Sequence, residues 1–160
     1  MKLYIKQRLF SWVDKFYIKN EYGTDVYYAQ GEFFSWGRKL HIYDMSGIEA
    51  AFIHRKMFTW LPKYFIEING NSVCELVKEI AFFRQSYRLE GLDWQLEGDF
   101  WAHEYSLSGR GHTLMSMSKH WFVWGDSYEL DIADPAYELL CLCVALAVDC
   151  VTADAESSNN

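Results

Sequence analysis

Leu139-Leu140-Cys141-Leu142-Cys143-Val144-Ala145-Leu146-Ala147-Val148 is a run of ten apolar residues bracketed by Glu138 and Asp149. Ahead of it, Asp134 can cap a helix and Pro135 suits the first helical position. The pattern predicts a helix over residues 136–151, about 24 Å long at about 1.5 Å per residue. Such a helix has no polar face, so it is either buried on all sides or inserted in lipid. A membrane span needs about 20 apolar residues. The run falls well short of that, and burial inside the protein is the expectation.

The rest of the chain supplies the enclosure. Period-two alternation dominates it: Leu40 and Ile42 alternate with Lys39, His41 and Tyr43. Tyr64, Ile66 and Ile68 alternate with Phe65 and Glu67, and Tyr128, Leu130 and Ile132 with Glu129 and Asp131. Alternation of this kind marks strands with one buried face. Breakers such as Ser46-Gly47, Asn69-Gly70-Asn71 and Glu90-Gly91 separate the runs, as turn chemistry requires. Strand cores are predicted near 2–7, 15–20, 25–31, 38–44, 48–55, 64–68, 72–79, 86–90, 94–98, 103–107, 113–118 and 127–132. Residues 79–84 could form a short helical turn.

Strands of six residues rise about 20 Å, which matches the helix. An eight-stranded barrel is filled by its own side chains, whereas about twelve strands leave a lumen that one helix of about 10 Å diameter fills. The expected fold is mainly β: a closed antiparallel barrel of about 12 strands around a buried hydrophobic C-terminal helix. Residues 1–152 form the single domain, and 153–160 are expected to be a disordered polar tail. Aromatic residues make up 18% of the chain, which suits a pleated surface.

One internal echo appears. Lys56-Met57-Phe58-Thr59-Trp60 leads into Tyr64-Phe65-Ile66-Glu67-Ile68, and Lys119-His120-Trp121-Phe122-Val123-Trp124 leads into Tyr128-Glu129-Leu130-Asp131-Ile132. Two repeated half-barrels would account for it; so would chance likeness between two amphipathic strands.

At net charge −7, the chain carries ten Lys/Arg and six Asp/Glu through Lys63, and five against sixteen afterwards. The cations are scattered singly except for the pairs Arg38-Lys39 and Arg55-Lys56. No basic stripe forms, so no nucleic-acid partner is expected. Those four residues are instead candidates for contact with anionic lipid or another anion. Cys74, Cys141, Cys143 and Cys150 form no CxxC pair and read as reduced, buried thiols. With no signal-peptide pattern at Met1–Arg8 and no transmembrane segment, the expected location is the cytoplasm, with peripheral attachment to a membrane allowed.

Several stretches resemble the LURP-one-related family, whose fold is that of the tubby C-terminal domain and which is related to phospholipid scramblases. They are Tyr27-Tyr28-Ala29-Gln30-Gly31 through Phe34-Ser35-Trp36-Gly37-Arg38-Lys39-Leu40, Gly91-Leu92-Asp93-Trp94-Gln95-Leu96-Glu97-Gly98-Asp99-Phe100, Trp124-Gly125-Asp126-Ser127-Tyr128-Glu129-Leu130-Asp131-Ile132, and the apolar helix ending Val148-Asp149-Cys150. The likeness covers roughly residues 1–151. It implies a 12-stranded barrel around a hydrophobic C-terminal helix. Tubby domains bind phosphoinositides through basic side chains and scramblase relatives act at membranes, but no lipid-binding or catalytic position is carried over to this sequence.

Asp99-Phe100-Trp101-Ala102-His103-Glu104 is the most enzyme-like stretch. Asp99 and His103, four apart, can point the same way and form a candidate rim ligand site. A metal would need a third ligand, and none stands at a diagnostic spacing, so structural hydrogen bonding is the plainer reading and no metal or cofactor is expected. No GxSxG, P-loop or GxGxxG motif occurs, and no catalytic residue is assigned. Trp121–Asp126 reads as core and corner packing, with a grip on lipid or a partner as the alternative. The sequence therefore points to a non-enzymatic binding or scaffold protein whose partner is anionic lipid, phosphoinositide or another protein. Two alternatives stand beside it: a ligand or enzymatic site around Asp99 and His103, and a scramblase-like protein whose helix enters the bilayer.

Overall fold

The structure is a computed structural model that describes residues 1–6, 15–32, 37–80, 86–120 and 127–157. Its strands are β1 (Lys2–Lys6), β2 (Phe16–Asn20), β3 (Asp25–Gly31), β4 (Lys39–Asp44), β5 (Glu49–Arg55), β6 (Lys63–Ile68), β7 (Asn71–Glu79), β8 (Ser86–Glu90), β9 (Trp94–Asp99), β10 (Glu104–Gly109), β11 (His112–His120) and β12 (Ser127–Ile132). Each matches an expected strand to within two residues. They pair antiparallel in chain order, and β12 returns to β1 to close the barrel. Closure is pinned by Glu129, which accepts from Lys2 Nζ at 2.6 Å and from Tyr4 Oη at 2.8 Å.

The alternation falls as the sequence predicts. Leu40, Ile42, Tyr64, Ile66, Leu130 and Ile132 are fully buried towards the lumen. Paired residues share a face, as Leu40↔Ile53 and Ile42↔Ala51 do towards the lumen, so a one-residue slip would turn the buried set out to solvent. Bulges break the register at Ile18/Lys19, Ile42/Tyr43, Ile66/Glu67 and Leu107/Ser108. All four sit next to a tight turn, where they add the twist a closed sheet needs.

Up-and-down order sorts the connections between two ends. Segments 21–24, 45–48, 69–70, 91–93 and 110–111 join strands at one end, here the turn end. Segments 7–15, 32–38, 56–62, 80–85, 100–103 and 121–126 join them at the other, the loop end. The readings placed on residues 81–84 and on Trp121–Asp126 lie outside the described residues.

The helix α1 (Glu138–Ser157) follows a short 3₁₀ turn, Pro135–Tyr137, and fills the lumen from the turn end to the loop end. Asp134 caps that turn by accepting from Ala136 N at 2.9 Å. Cys141 through Val148 are completely buried.

Two expectations need correction. The helix does not stop at 151, and residues 153–157 belong to it rather than to a disordered tail; the expected tail residues 158–160 lie outside the described residues. The helix is also longer than the ten-residue run suggests. Pro135–Ala155, at mean hydropathy 1.9, is long and apolar enough to cross a membrane. Its enclosure by the strands, and not its size, makes it a core helix.

Candidate functional site

At the loop end the two basic pairs meet. Gly37 leads into β4 with φ +85°, and a Cβ there would lie 2.8 Å from Met57 Sδ and 3.4 Å from Arg55 Cβ. A residue without a side chain is needed for so close an approach. The approach sets the two pairs side by side: Arg55 N donates to Arg38 O at 2.9 Å, and Lys39 faces His54 in the ladder.

Their side chains have different partners. Arg38 Nε donates to Asp154 Oδ1, Arg55 Nη1 lies 3.1 Å from Asp154 Oδ2, and Tyr64 Oη donates to the same oxygen at 2.7 Å. Asp154 stands in the last turn of α1, so this cluster ties the helix end to three adjoining strands. Its carboxylate is 10% exposed, against 25% and 37% for the two guanidinium groups. Burial, and then the nearby Cys150 and Asp154, push the Tyr64 hydroxyl well above its ordinary range. Lys39 Nζ donates to Glu32 at 2.9 Å, while Lys56 Nζ lies 4.9 Å over the Phe65 ring. The two Arg are thus both structural and surface groups. Replacing them with Gln would leave a mostly buried carboxylate without its cations.

Asp99 and His103 are not brought together. Asp99 Oδ1 accepts from Trp101 N and Ala102 N, both at 3.0 Å, and so caps the turn between β9 and β10. Gly98 faces Tyr105 across that hairpin; a Cβ would sit 2.5 Å from Tyr105 Cα. His103, with φ +57°, turns inward, stacks on Tyr128 at 4.2 Å and places Nε2 3.2 Å from Asp149 Oδ1.

Asp149 is buried in the barrel, which pushes its carboxyl above the usual carboxylate range, with His103 pulling it back. Neither carboxylate oxygen nor the buried Tyr105 hydroxyl has a hydrogen bond of good geometry. The four thiols are buried and free, and burial pushes Cys74 and Cys141 up to about 12, far from the range of a reactive thiolate. Among the described residues no group of three His, Cys, Asp or Glu side chains could hold a metal ion. A polar cavity of about 260 Å³ lies at the turn end, lined by Asp93, Gln95, Ser108, Gly109, Arg110 and Gly111. No candidate residue lines it.

The sequence profile of the LURP-one-related family matches residues 1–149. The chain belongs to that family. The chain is also similar to the uncharacterised protein YxjI of Bacillus subtilis (strain 168), at 36% identity over 151 residues, covering 94% of this chain and 93% of that one. Among solved structures, the X-ray structure of a protein from Arabidopsis thaliana superposes with a TM-score of 0.63 over 92% of this chain and 89% of its own. At 12% identity this likeness speaks to the fold alone. The fold of this family member is the tubby-like one: a closed antiparallel barrel with a C-terminal helix.

Two features of this LURP-one-related barrel escape a sequence reading. Asp154 looks like part of a polar tail, although Asp149 to Ala155 contains no Gly or Pro breaker and could have been read as continuing the helix. Phe58 and Trp60, noted only as part of an internal echo, are 98% and 96% exposed.

Proposed function

We propose that this protein is a non-enzymatic binding or scaffold barrel that meets anionic membrane lipid, phosphoinositides included, at its loop end on the cytoplasmic side. The observation that carries this reading is the convergence of Arg38, Lys39, Arg55 and Lys56 from two strands onto one end of the barrel. Counting Asp154 and Glu32 against them leaves that cluster at +2, within a chain of net charge −7. A basic cluster on an acidic protein orients it at a negative surface. Each cation near such a surface contributes about 1 kcal/mol and is screened over about 8 Å at physiological salt.

Vesicle sedimentation tests it. Binding is expected to vesicles with phosphatidylserine or phosphoinositide, not to neutral phosphatidylcholine, and to fall steeply with salt. Lys39→Gln with Lys56→Gln should weaken binding severalfold at an unchanged melting temperature, because neither lysine holds Asp154. No preference for anionic vesicles at low salt would end the membrane reading.

A further inference from the structure

The segment 56–62 between β5 and β6 places its two largest side chains in water. Phe58 is 98% exposed and Trp60 96%, and Met57 beside them is exposed as well. Isolated exposed apolar residues are ordinary, but two almost fully exposed aromatics two positions apart on one short loop are not. Phe58 also takes φ +57°. A bulky side chain is disfavoured in that left-handed region, which Gly or Asn enters with least cost. Fold stability therefore does not explain a Phe here.

The surroundings indicate the occupant. From Ala50 to Ile66 there is no Asp or Glu, while Arg55, Lys56 and Lys63 are all basic. Aromatic tips flanked by cations suit the boundary of an anionic bilayer: rings enter at headgroup level and ammonium groups stay among the phosphates. Two further exposed apolar side chains lie at this end of the barrel. Pro62 O accepts from Lys78 N at 3.0 Å, which sets the exposed Ile80 on the adjoining strand end, and the half-exposed Trp101 belongs to the same barrel end.

We propose that the tip Met57-Phe58-Thr59-Trp60 is a wedge that inserts into the interfacial layer of an anionic bilayer, with Lys56 at headgroup level. The proposal rests on the membrane reading above and adds the groups that enter the lipid. The basic cluster draws the barrel to the surface; the wedge fixes which end penetrates it. A second copy of the chain or an apolar protein partner would make different use of the same tip.

The test uses the protein with Thr59→Cys labelled by an environment-sensitive nitrobenzoxadiazole dye; the four native thiols are buried and should label slowly. Phosphatidylserine vesicles should raise and blue-shift the dye emission, and phosphatidylcholine vesicles should not. Phe58→Asn with Trp60→Ser should lower vesicle affinity by about tenfold or more, as loss of buried interfacial aromatics implies. Its melting temperature should be unchanged or raised, since Asn tolerates the left-handed backbone. Phe58→Leu, which keeps an apolar tip, should retain most of the binding. Vesicle binding with a dye that stays in water and affinity unaffected by the double substitution would overturn the wedge while leaving the membrane reading intact. Absence of any vesicle binding would remove both. Tip burial that depends on protein concentration, without lipid, would assign the tip to self-association instead.

Discussion

Asp154 and Asp149 lie five residues apart on α1 and meet different surroundings. Asp154 faces two guanidinium groups and a tyrosine hydroxyl at the rim. Asp154→Ala would strand the buried Tyr64 hydroxyl and leave Arg38 and Arg55 facing each other. Screening at the partly exposed guanidinium groups reduces the cost, so a loss of about 2 kcal/mol is expected, or about 4–8 °C in a chain of this size. Differential scanning calorimetry checks it, and Asp154→Asn, which keeps an acceptor for Tyr64, should lose less. Asp149 carries the opposite sign. Burial raises its carboxyl above the ordinary value of 3.8, so the folded chain holds this proton more tightly than the unfolded chain does. The stability linked to that proton is complete below the unfolded value and is lost as pH rises through the raised folded value. Asp149→Asn should therefore raise the melting temperature at neutral pH and leave it nearly unchanged near about pH 3, where both forms of the chain hold the proton. A constant difference across a pH series of melting curves would show that burial of the charge is not what Asp149 costs.

Strands and helix differ in how far they could be read beforehand. All twelve strands were legible because alternation is local: Leu40 and Ile42, or Leu130 and Ile132, announce a buried face without reference to any partner. The pairings across strands were not, because they depend on register. Tyr28 stacks on Tyr43 at 4.9 Å, His41 on Phe52 at 4.5 Å and His54 on Phe65 at 5.1 Å, forming a belt on the outside of β3 to β6. Cross-strand pairs of this kind contribute about 0.2–1 kcal/mol each. Arg38-Lys39 and Arg55-Lys56 were legible as basic pairs, and their meeting was again a matter of register. The end of α1 was misread for a related reason. Asp154 looks like a solvent residue until Arg38, Arg55 and Tyr64 are placed around it, so the stretch from 153 that resembles a tail is helix held by distant partners. The internal echo gains one observation. Tyr64 and Tyr128 stand on β6 and β12, six places apart in the ring, and both face the helix: Tyr64 bonds Asp154, and Tyr128 stacks on the His103 that approaches Asp149.

For the whole molecule, the decisive relation is between helix and wall. Leu142, Val144, Leu146, Val148 and Val151 are completely buried, and so are Leu3, Ile5, Ile18, Ile53 and Leu76 on the strands that surround them. Moving α1 into a bilayer, as a scramblase-like role would require, returns the helix to an apolar medium but opens the lumen to water. At about 1.5–3 kcal/mol for each large side chain exposed, the wall residues alone would exceed a typical domain stability of about 5–15 kcal/mol. The barrel is therefore expected to stay closed when it meets lipid, and the wall is thinnest elsewhere: β8 and β9 share the single pair Arg88↔Gln95, while β8 with β7 and β9 with β10 are each paired along their length. Native-state hydrogen exchange followed by mass spectrometry separates these cases. Amides of α1 between Cys141 and Val151 should exchange only through global unfolding, at the rate the overall stability dictates. Amides along the β8–β9 seam should exchange much sooner, because they can open without disturbing the helix. Anionic vesicles should slow exchange in 56–62 and leave α1 unchanged. If vesicles instead accelerated exchange in α1 to the level of the seam, the helix would be leaving the barrel, and the rigid-barrel account would give way to the scramblase-like one.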